Sequence, residues 1–170
     1  MTLEASRGRS FPPVADEHTR VLILGSLPGV KSLAAQHYYA HPQNGFWRLA
    51  GGLIGADLHA LAYPDRLSTL LAHRIGLWDV IDEATREGSL DTAIRDHRPN
   101  DLARLVARLP HLRAIGFNGG TAAKLGRKAL AGGRPEIALI HLPSSSPALT
   151  TPLARKAEAW AVLGTYLDRR

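Results

Sequence analysis

Four short, almost wholly apolar segments recur along the chain and constrain its fold more than any other feature. They lie at 20–25 (RVLILG), 75–80 (IGLWDV), 113–117 (RAIGF) and 136–141 (EIALIH). Such segments are typical of strands in a sheet that is covered on both faces. Amphipathic helical patterns separate them, at 44–54, 64–73, 99–109, 120–130 and 152–167. The alternation predicts an α/β fold with three α/β/α layers and a central, mainly parallel four-stranded sheet.

The length of 170 residues suits one domain with one main core. We expect residues 1–18 to form an N-terminal tail and residues 19–170 to form the domain. Pro99 and Pro152 stand where the first turn of a helix tolerates proline, and Asn118 stands where it can cap the helix that follows.

Charge and cysteine content narrow the possible functions. The chain has 21 Lys and Arg against 15 Asp and Glu, a formal charge of +6, which favours polyanionic partners. It has no cysteine, which excludes disulfides, thiolate-bound zinc, iron–sulfur clusters and a cysteine nucleophile. The N-terminal residues lack the apolar core of a signal peptide, and no apolar run is long enough to span a bilayer. We therefore expect a cytoplasmic protein that does not associate with membranes.

Two loops follow predicted strands at the edge of the sheet where open α/β folds bind ligands. The glycine segment, residues 25–29 (GSLPG), follows the first strand and can present free backbone N–H groups to a ligand. The serine segment, residues 141–152 (HLPSSSPALTTP), follows the last strand and is rich in hydroxyl groups that suit contacts to phosphate. Taken alone, each segment is more typical of a structural turn than of a binding site.

A third segment is more distinctive. The aromatic segment, residues 38–47, has the sequence YYAHPQNGFW. Together with GSLPG, FNGG at 117–120 and HLPSSSPA at 141–148, it resembles the uracil-DNA glycosylase superfamily, within it the hypoxanthine-DNA (deoxyinosine) glycosylase branch called family six. The resemblance covers residues 20–149. Mismatch-specific uracil-DNA glycosylases have a similar His-Pro-x-Asn-x-Phe-Trp segment, and thymine-DNA glycosylases share the Phe-Asn-Gly turn.

The chain departs from the wider superfamily at two positions where other branches have catalytic polar residues. Leu27 precedes the proline of the glycine segment, and Leu142 precedes Pro143 in the serine segment, with His141 one residue earlier. A leucine side chain can neither orient water nor donate a hydrogen bond. The family-six pattern implies that Asn44 serves as the catalytic residue instead.

The resemblance also implies a site and a chemistry. The enzyme extrudes a nucleotide from the duplex and hydrolyses its N-glycosidic bond through an oxocarbenium-like sugar, with no metal and no cofactor. The implied base-binding residues are Gly25, Ser26, Leu27, Pro28, Gly29, Tyr39, His41 and Asn118. Ser144 and Ser145 would hold flanking phosphates, while Ser146, Pro147 and Ala148 would fill the gap in the stack.

Several of these residues have structural alternatives. Asn44 can cap a helix, and His41 can fix the loop. Phe46 and Trp47 are expected in the core, whereas Tyr38 suits either the core or a contact with the base. His141, at a strand end, is expected to point toward the site, although a histidine in this position is more often a structural residue. Asp79 ends the second strand and is the carboxylate best placed to enter the site, as a second catalytic residue, although it can also cap the next segment.

Three functional hypotheses follow. The first is a monofunctional glycosylase that removes hypoxanthine from deoxyinosine, acting as a monomer on DNA with a deaminated base. The second keeps the reaction but changes the base to uracil or a mismatched pyrimidine. The third is a non-catalytic module that binds damaged or single-stranded DNA, since Leu27 and Leu142 replace polar groups.

Overall fold

A computed structural model describes residues 6–86 and 88–167. The strands are β1 (Ser6–Arg9), β2 (Val21–Gly25), β3 (Ile75–Asp79), β4 (Ile81–Arg86), β5 (Ile94–Pro99), β6 (Ala114–Asn118) and β7 (Ala138–Leu142). The α-helices are α1 (Val30–Ala35), α2 (Phe46–Ile54), α3 (Tyr63–Ala72), α4 (Leu102–Ala107), α5 (Gly120–Ala129) and α6 (Leu153–Trp160). Short 3₁₀ helices lie at Leu58–Ala60, Asp91–Ala93 and Ala161–Tyr166.

The central sheet confirms the predicted fold. Its order is β3-β2-β6-β7, and all three pairings are parallel. Each strand matches one of the four predicted segments to within two residues at either end. All five residues of β2 and of β6 are buried, which explains why their sequences contain no alternation of polar and apolar residues.

Two apolar clusters form the helical layers on the two faces of this sheet. Val21 and Ile23 of β2 pack into a cluster that contains side chains of α2 and α6, whereas Leu22 and Leu24 pack into one that contains side chains of α4 and α5. Because successive residues of a strand point to opposite faces, the two clusters lie on opposite sides of the sheet. The predicted three-layer arrangement is therefore confirmed.

A second sheet was not predicted. β1, β4 and β5 form a three-stranded antiparallel sheet in the order β1-β4-β5. The sequences of β4 (IDEATR) and β5 (IRDHRP) are mostly polar, and five of the six residues of β5 are exposed. Strands with so little apolar surface give no hydrophobic pattern, so only their backbone pairing identifies them.

The segment expected to be a tail also differs from expectation. Residues 1–5 lie outside the described residues, but Ser6–Arg9 pairs with β4. Val14 exchanges two backbone hydrogen bonds with Leu77 of β3, at 2.9 and 2.7 Å. β3 lies at an edge of the central sheet, and such edges need partners for their backbone groups. Residues 6–18 therefore belong to the domain rather than to a tail.

Helix starts differ from the predicted caps. Pro99 ends β5 instead of opening a helix, Pro152 is the N-cap of α6, and Gly119, with a φ of 99°, is the N-cap of α5 in place of Asn118. α1 was not predicted, since its six residues are too few for a clear periodic pattern. Within the described ranges, no helix has the length and apolarity that a membrane crossing requires.

Candidate functional site

The carboxyl ends of the four central strands surround a cavity of about 500 Å³. Every residue that the sequence assigned to catalysis, base binding or DNA binding lines this cavity. These residues are Gly25, Ser26, Leu27, Pro28, Gly29, Tyr39, His41, Asn44, Asp79, Asn118, Ser144, Ser145, Ser146, Pro147 and Ala148. The cavity is large enough to admit a nucleobase and part of its sugar.

The glycine segment forms one wall because a side chain at its first residue would not fit. A Cβ atom on Gly25 would lie 2.7 Å from Asp79 Oδ1 and 2.9 Å from the Tyr39 hydroxyl oxygen. Gly25 and Asp79 are partners in the β2–β3 register, so the strand pairing itself brings the carboxyl group to this wall. Leu27 is buried and packs in the cluster on the α4 and α5 side, which leaves this part of the wall apolar.

Tyr39 lies in the aromatic segment with a φ of 53°, in the left-handed region. One face of its ring stacks on Phe46, with centroids 3.9 Å apart and planes inclined by 12°. A base can therefore stack only on the other face. Burial is the main cause that raises the pKa of the Tyr39 hydroxyl, with Asp79 adding to it. Phe46 and Trp47 are core residues, as expected.

Tyr38 proves to be mainly structural. Its side chain is almost fully buried, and its hydroxyl donates to the carbonyl oxygens of Phe11 at 3.4 Å and Pro12 at 3.1 Å. Its ring meets the edge of Phe11 with centroids 5.1 Å apart. The two tyrosines thus have different roles: Tyr38 anchors residues 11 and 12, and Tyr39 faces the cavity.

Asn44 is half-buried in a turn that the neighbouring residues hold in place. Its Oδ1 accepts the backbone N–H of Phe46 at 2.9 Å, and its own N–H donates to the carbonyl of His41, also at 2.9 Å. The helix N-cap is Gly45, not Asn44. His41 Nδ1 accepts the N–H of Gln43 at 3.1 Å, so His41 does fix the loop. The bond from Phe46 orients the Asn44 amide, whose nitrogen has two further N–H donors.

Asp79 is 4% exposed, and its Oδ2 has no hydrogen-bond partner among the described residues. Burial raises the pKa of this carboxyl to about 7; Asp91 raises it further, while Arg86 lowers it. Near neutral pH a substantial fraction of the group is therefore protonated. A buried carboxyl with a raised pKa in a cavity wall has the properties of an acid that works at physiological pH.

Asn118 links the end of β6 to the serine segment. Its Oδ1 accepts the N–H of Ser145 at 2.8 Å, and its Nδ2 donates to Ser145 Oγ at 2.9 Å and to the Tyr39 hydroxyl at 3.3 Å. Ser145 is only 2% exposed, so its hydroxyl points inward rather than toward a phosphate. The predicted phosphate contact therefore suits the half-buried Ser144 better than Ser145.

The rest of the serine segment is held by a few defined contacts. Ser144 Oγ accepts the N–H of Ser146 at 3.1 Å, and Ser146 Oγ accepts that of Ala148 at 3.2 Å. Lys156 Nζ donates to the Ser146 carbonyl, also at 3.1 Å. Pro147 and Ala148 are exposed at the cavity rim.

Sequence reasoning missed one element of the cavity. The hairpin turn, residues 88–92 between β4 and β5, supplies Ser89, Leu90, Asp91 and Thr92 to the lining. Ser26 Oγ donates to Asp91 Oδ1 at 2.6 Å. The turn also has no apolar pattern, so only the pairing of β4 with β5 could have indicated its place. Lys31, Ser32 and Leu149 line the cavity as well.

One residue that the sequence placed at the site lies away from the cavity. His141 is exposed and does not line it, so the expectation that it points into the site is wrong. The described part of the chain has no group of three or more acidic or histidine side chains arranged to hold a metal ion.

Known proteins of one family are similar to this chain. The family model of the uracil DNA glycosylase superfamily matches residues 12–164. A curated hypoxanthine DNA glycosylase of Methanosarcina acetivorans is 50% identical over 116 residues, which cover 68% of this chain and 73% of that protein. One of Methanosarcina barkeri is 49% identical over 111 residues, 65% of this chain and 70% of that protein.

A solved structure is similar over nearly the whole chain. It is a solution NMR structure, described as that of a candidate uracil DNA glycosylase from Methanosarcina acetivorans. Its TM-score is 0.84 with 42% sequence identity, and the match covers 95% of this chain and 99% of that one. The similarity therefore includes the central sheet and the segments that surround the cavity.

Proposed function

This chain belongs to the uracil DNA glycosylase superfamily, and we propose that it is a monofunctional DNA glycosylase that releases hypoxanthine from deoxyinosine in DNA. The observation that carries the proposal is the cavity itself, in which Asn44, Asp79 and Tyr39 meet within a chain about 50% identical to curated hypoxanthine DNA glycosylases. DNA is the substrate that the family implies, and the positive formal charge suits it.

Extrusion of the nucleotide comes first, since the glycosidic bond of a stacked base is out of reach. It costs a few kcal/mol, less for a base that pairs weakly with its partner. The free face of Tyr39 would stack on the extruded base, a contact worth roughly 1–3 kcal/mol. Backbone groups of the glycine segment would meet the edge of the base. The half-buried His41 would hold the turn that positions Asn44.

Hydrolysis then breaks the bond between C1′ and the base nitrogen and joins a water oxygen to C1′. The base departs with the electron pair of the broken bond, and the sugar carbon becomes positive in the transition state. Asn44 would orient the water or bind the substrate through its amide, because Leu27 and Leu142 are apolar and buried. Asp79, partly protonated at neutral pH, would supply a proton to the departing purine, and the proton that the attacking water loses would restore the carboxyl group.

The serine segment would hold the DNA around the extruded nucleotide. Ser144 would contact a phosphate, while Ser146, Pro147 and Ala148 at the rim would take the space that the base leaves. Asn118 and Ser145 would act by fixing this segment against Tyr39. We expect the protein to work as a monomer in the cytoplasm, through side chains and water alone.

An excision assay tests the proposal directly. Purified protein is incubated with duplexes that contain deoxyinosine, deoxyuridine or deoxyxanthosine, and alkali then converts abasic sites to strand breaks. We expect breaks at deoxyinosine with the wild type, and their near-complete loss with Asn44→Ala while DNA binding persists. Absence of breaks on all three duplexes would refute the enzyme and favour a DNA-binding module.

Uracil is the second candidate base, because the similar solved structure is described as that of a candidate uracil DNA glycosylase. The same assay separates the two bases. Excision of uracil well above that of hypoxanthine under single-turnover conditions would establish the alternative.

A further inference from the structure

The hairpin turn lies at the opposite end of the cavity from the serine segment. β3 and β7 are the two edges of the central sheet; β4 continues directly from β3, and the serine segment follows β7. The hairpin turn and the serine segment therefore flank the cavity from the two edges of the sheet. Both are at its rim, where a DNA duplex must lie if one of its nucleotides enters the cavity.

Contacts on both sides of Leu90 hold the hairpin turn against the glycine segment. Ser89 Oγ accepts the N–H of Val30 at 2.8 Å. Asp91 Oδ1 accepts the hydroxyl of Ser26 at 2.6 Å and lies 3.6 Å from Nη1 of Arg86. Arg86, itself 4% exposed, donates through Nη2 to the carbonyl of Pro28. These are partly charge-assisted hydrogen bonds, so the turn has a defined place beside the cavity.

Leu90 differs from its two neighbours, whose side chains are held by hydrogen bonds. It is 56% exposed, the most exposed of the large apolar side chains among the described residues, and it lines the cavity. A single exposed leucine is common on protein surfaces. Here, however, Leu149 of the serine segment is also exposed, at 38%, and lines the same cavity. Two exposed leucines from separate segments thus share the rim of a base-sized cavity.

We propose that Leu90 inserts into the DNA base stack beside the extruded nucleotide, from the side opposite the serine segment. The proposal rests on the proposed glycosylase function, which places duplex DNA over the cavity. Apolar side chains that enter base steps unstack them partially, and a rigid support keeps such a side chain in position. The contacts of Ser89 and Asp91 provide that support, and they leave Leu90 free to meet the bases.

The test compares Leu90→Ala with Leu61→Ala. Leu61 is also an exposed leucine, at 36%, but it precedes α3 and does not line the cavity. Single-turnover release of hypoxanthine is measured from a duplex and from the same strand without its complement. We expect Leu90→Ala to slow release from the duplex about tenfold or more, because the bases unstack less readily without the inserted side chain. Release from the single strand should change less than about twofold, because no stack is opened there.

Leu61→Ala should leave both rates unchanged, and Leu90→Met, which keeps a long apolar side chain, should restore most of the duplex rate. An unchanged duplex rate for Leu90→Ala would overturn the proposal. Equal losses on both substrates would also overturn it, since they would mean that Leu90 shapes the cavity instead.

A second readout does not depend on base release. 2-Aminopurine placed next to deoxyinosine in a duplex fluoresces more strongly when its stacking is broken. Wild type should raise this fluorescence on binding, and Leu90→Ala should raise it by less than half as much, while Leu61→Ala behaves as wild type. If the wild type released no base at all, the proposed function would fail, and the fluorescence would still decide whether Leu90 opens the stack.

Discussion

Asn118 and Ser145 are joined by two hydrogen bonds, one to the backbone N–H of Ser145 at 2.8 Å and one to its Oγ at 2.9 Å. The pair connects the carboxyl end of β6 to the serine segment in a nearly water-free position. The same Asn118 amide reaches the Tyr39 hydroxyl at 3.3 Å. One side chain therefore sets the relative positions of two segments of the site.

Asn118→Ala removes both bonds and leaves buried groups of Ser145 without partners. We expect the free energy of unfolding to fall by about 2 kcal/mol or more, because each unsatisfied buried group costs about 1–3 kcal/mol. Urea denaturation followed by circular dichroism measures the change. Asn118→Asp, which keeps an oxygen for the Ser145 N–H, should lose less. A change below about 0.5 kcal/mol for Asn118→Ala would contradict the structural role.

Asn44→Asp separates the structural and chemical roles of Asn44. An aspartate retains an oxygen that can accept the N–H of Phe46, but it lacks the two amide N–H donors. We expect the thermal midpoint to stay close to that of the wild type, while single-turnover excision of hypoxanthine falls about 100-fold or more. Excision at near wild-type rates would show that the amide nitrogen has no part in the chemistry.

Asp79 should make stability depend on pH. Its carboxyl has an ordinary pKa of 3.8 and a pKa of about 7 in the folded protein, so the folded state holds its proton more tightly than the unfolded state does. The contribution of this proton to the free energy of unfolding is complete below pH 3.8 and is lost as the pH rises through 7. The full loss amounts to about 4 kcal/mol at most.

Asp79→Asn removes this dependence. Relative to the wild type, its free energy of unfolding should therefore rise between pH 4 and 7 and stay constant above pH 8. Urea titrations at several pH values measure the difference. Single-turnover excision by the wild type should also fall as the pH rises through about 7, since the donating form is lost. A pH profile that Asp79→Asn leaves unchanged would exclude Asp79 as the acid.

Gly25→Ala should damage the site without a large change elsewhere. The added Cβ would lie 2.7 Å from Asp79 Oδ1 and 2.9 Å from the Tyr39 hydroxyl, so at least one of these groups must move. We expect excision to fall about tenfold or more, because displacements of about 1 Å at a site are costly.

Gly52→Ala is the matched control for Gly25→Ala. Gly52 lies within α2, and a Cβ there would meet no atom within 4 Å. Alanine in a helix is favoured over glycine by about 0.5–1 kcal/mol, so this variant should be slightly more stable and equally active. Excision by Gly25→Ala at the rate of Gly52→Ala would show that the wall at Gly25 tolerates a side chain.

The central sheet could be predicted from the sequence, whereas the antiparallel sheet could not. The four central strands were predictable because each is short and mostly apolar, and β2 and β6 are buried along their whole length. Because parallel strands end at one edge of the sheet, the glycine and serine segments and Asp79 could also be expected to meet. The strands β4 and β5 were not predictable, because they are polar and are held by backbone pairing with β1 and with each other.

The sequence by itself determined the layer architecture, the family and the residue types around the cavity, since these depend on local composition and on motifs of a few residues. Only the tertiary structure decided how those residues behave. The raised pKa of Asp79 comes from its burial, the inward position of Ser145 from a partner 27 residues away, and the place of Leu90 from a turn bound to Ser26, 65 residues before Asp91. Burial and contacts between residues so distant in the chain exist only once the chain has folded.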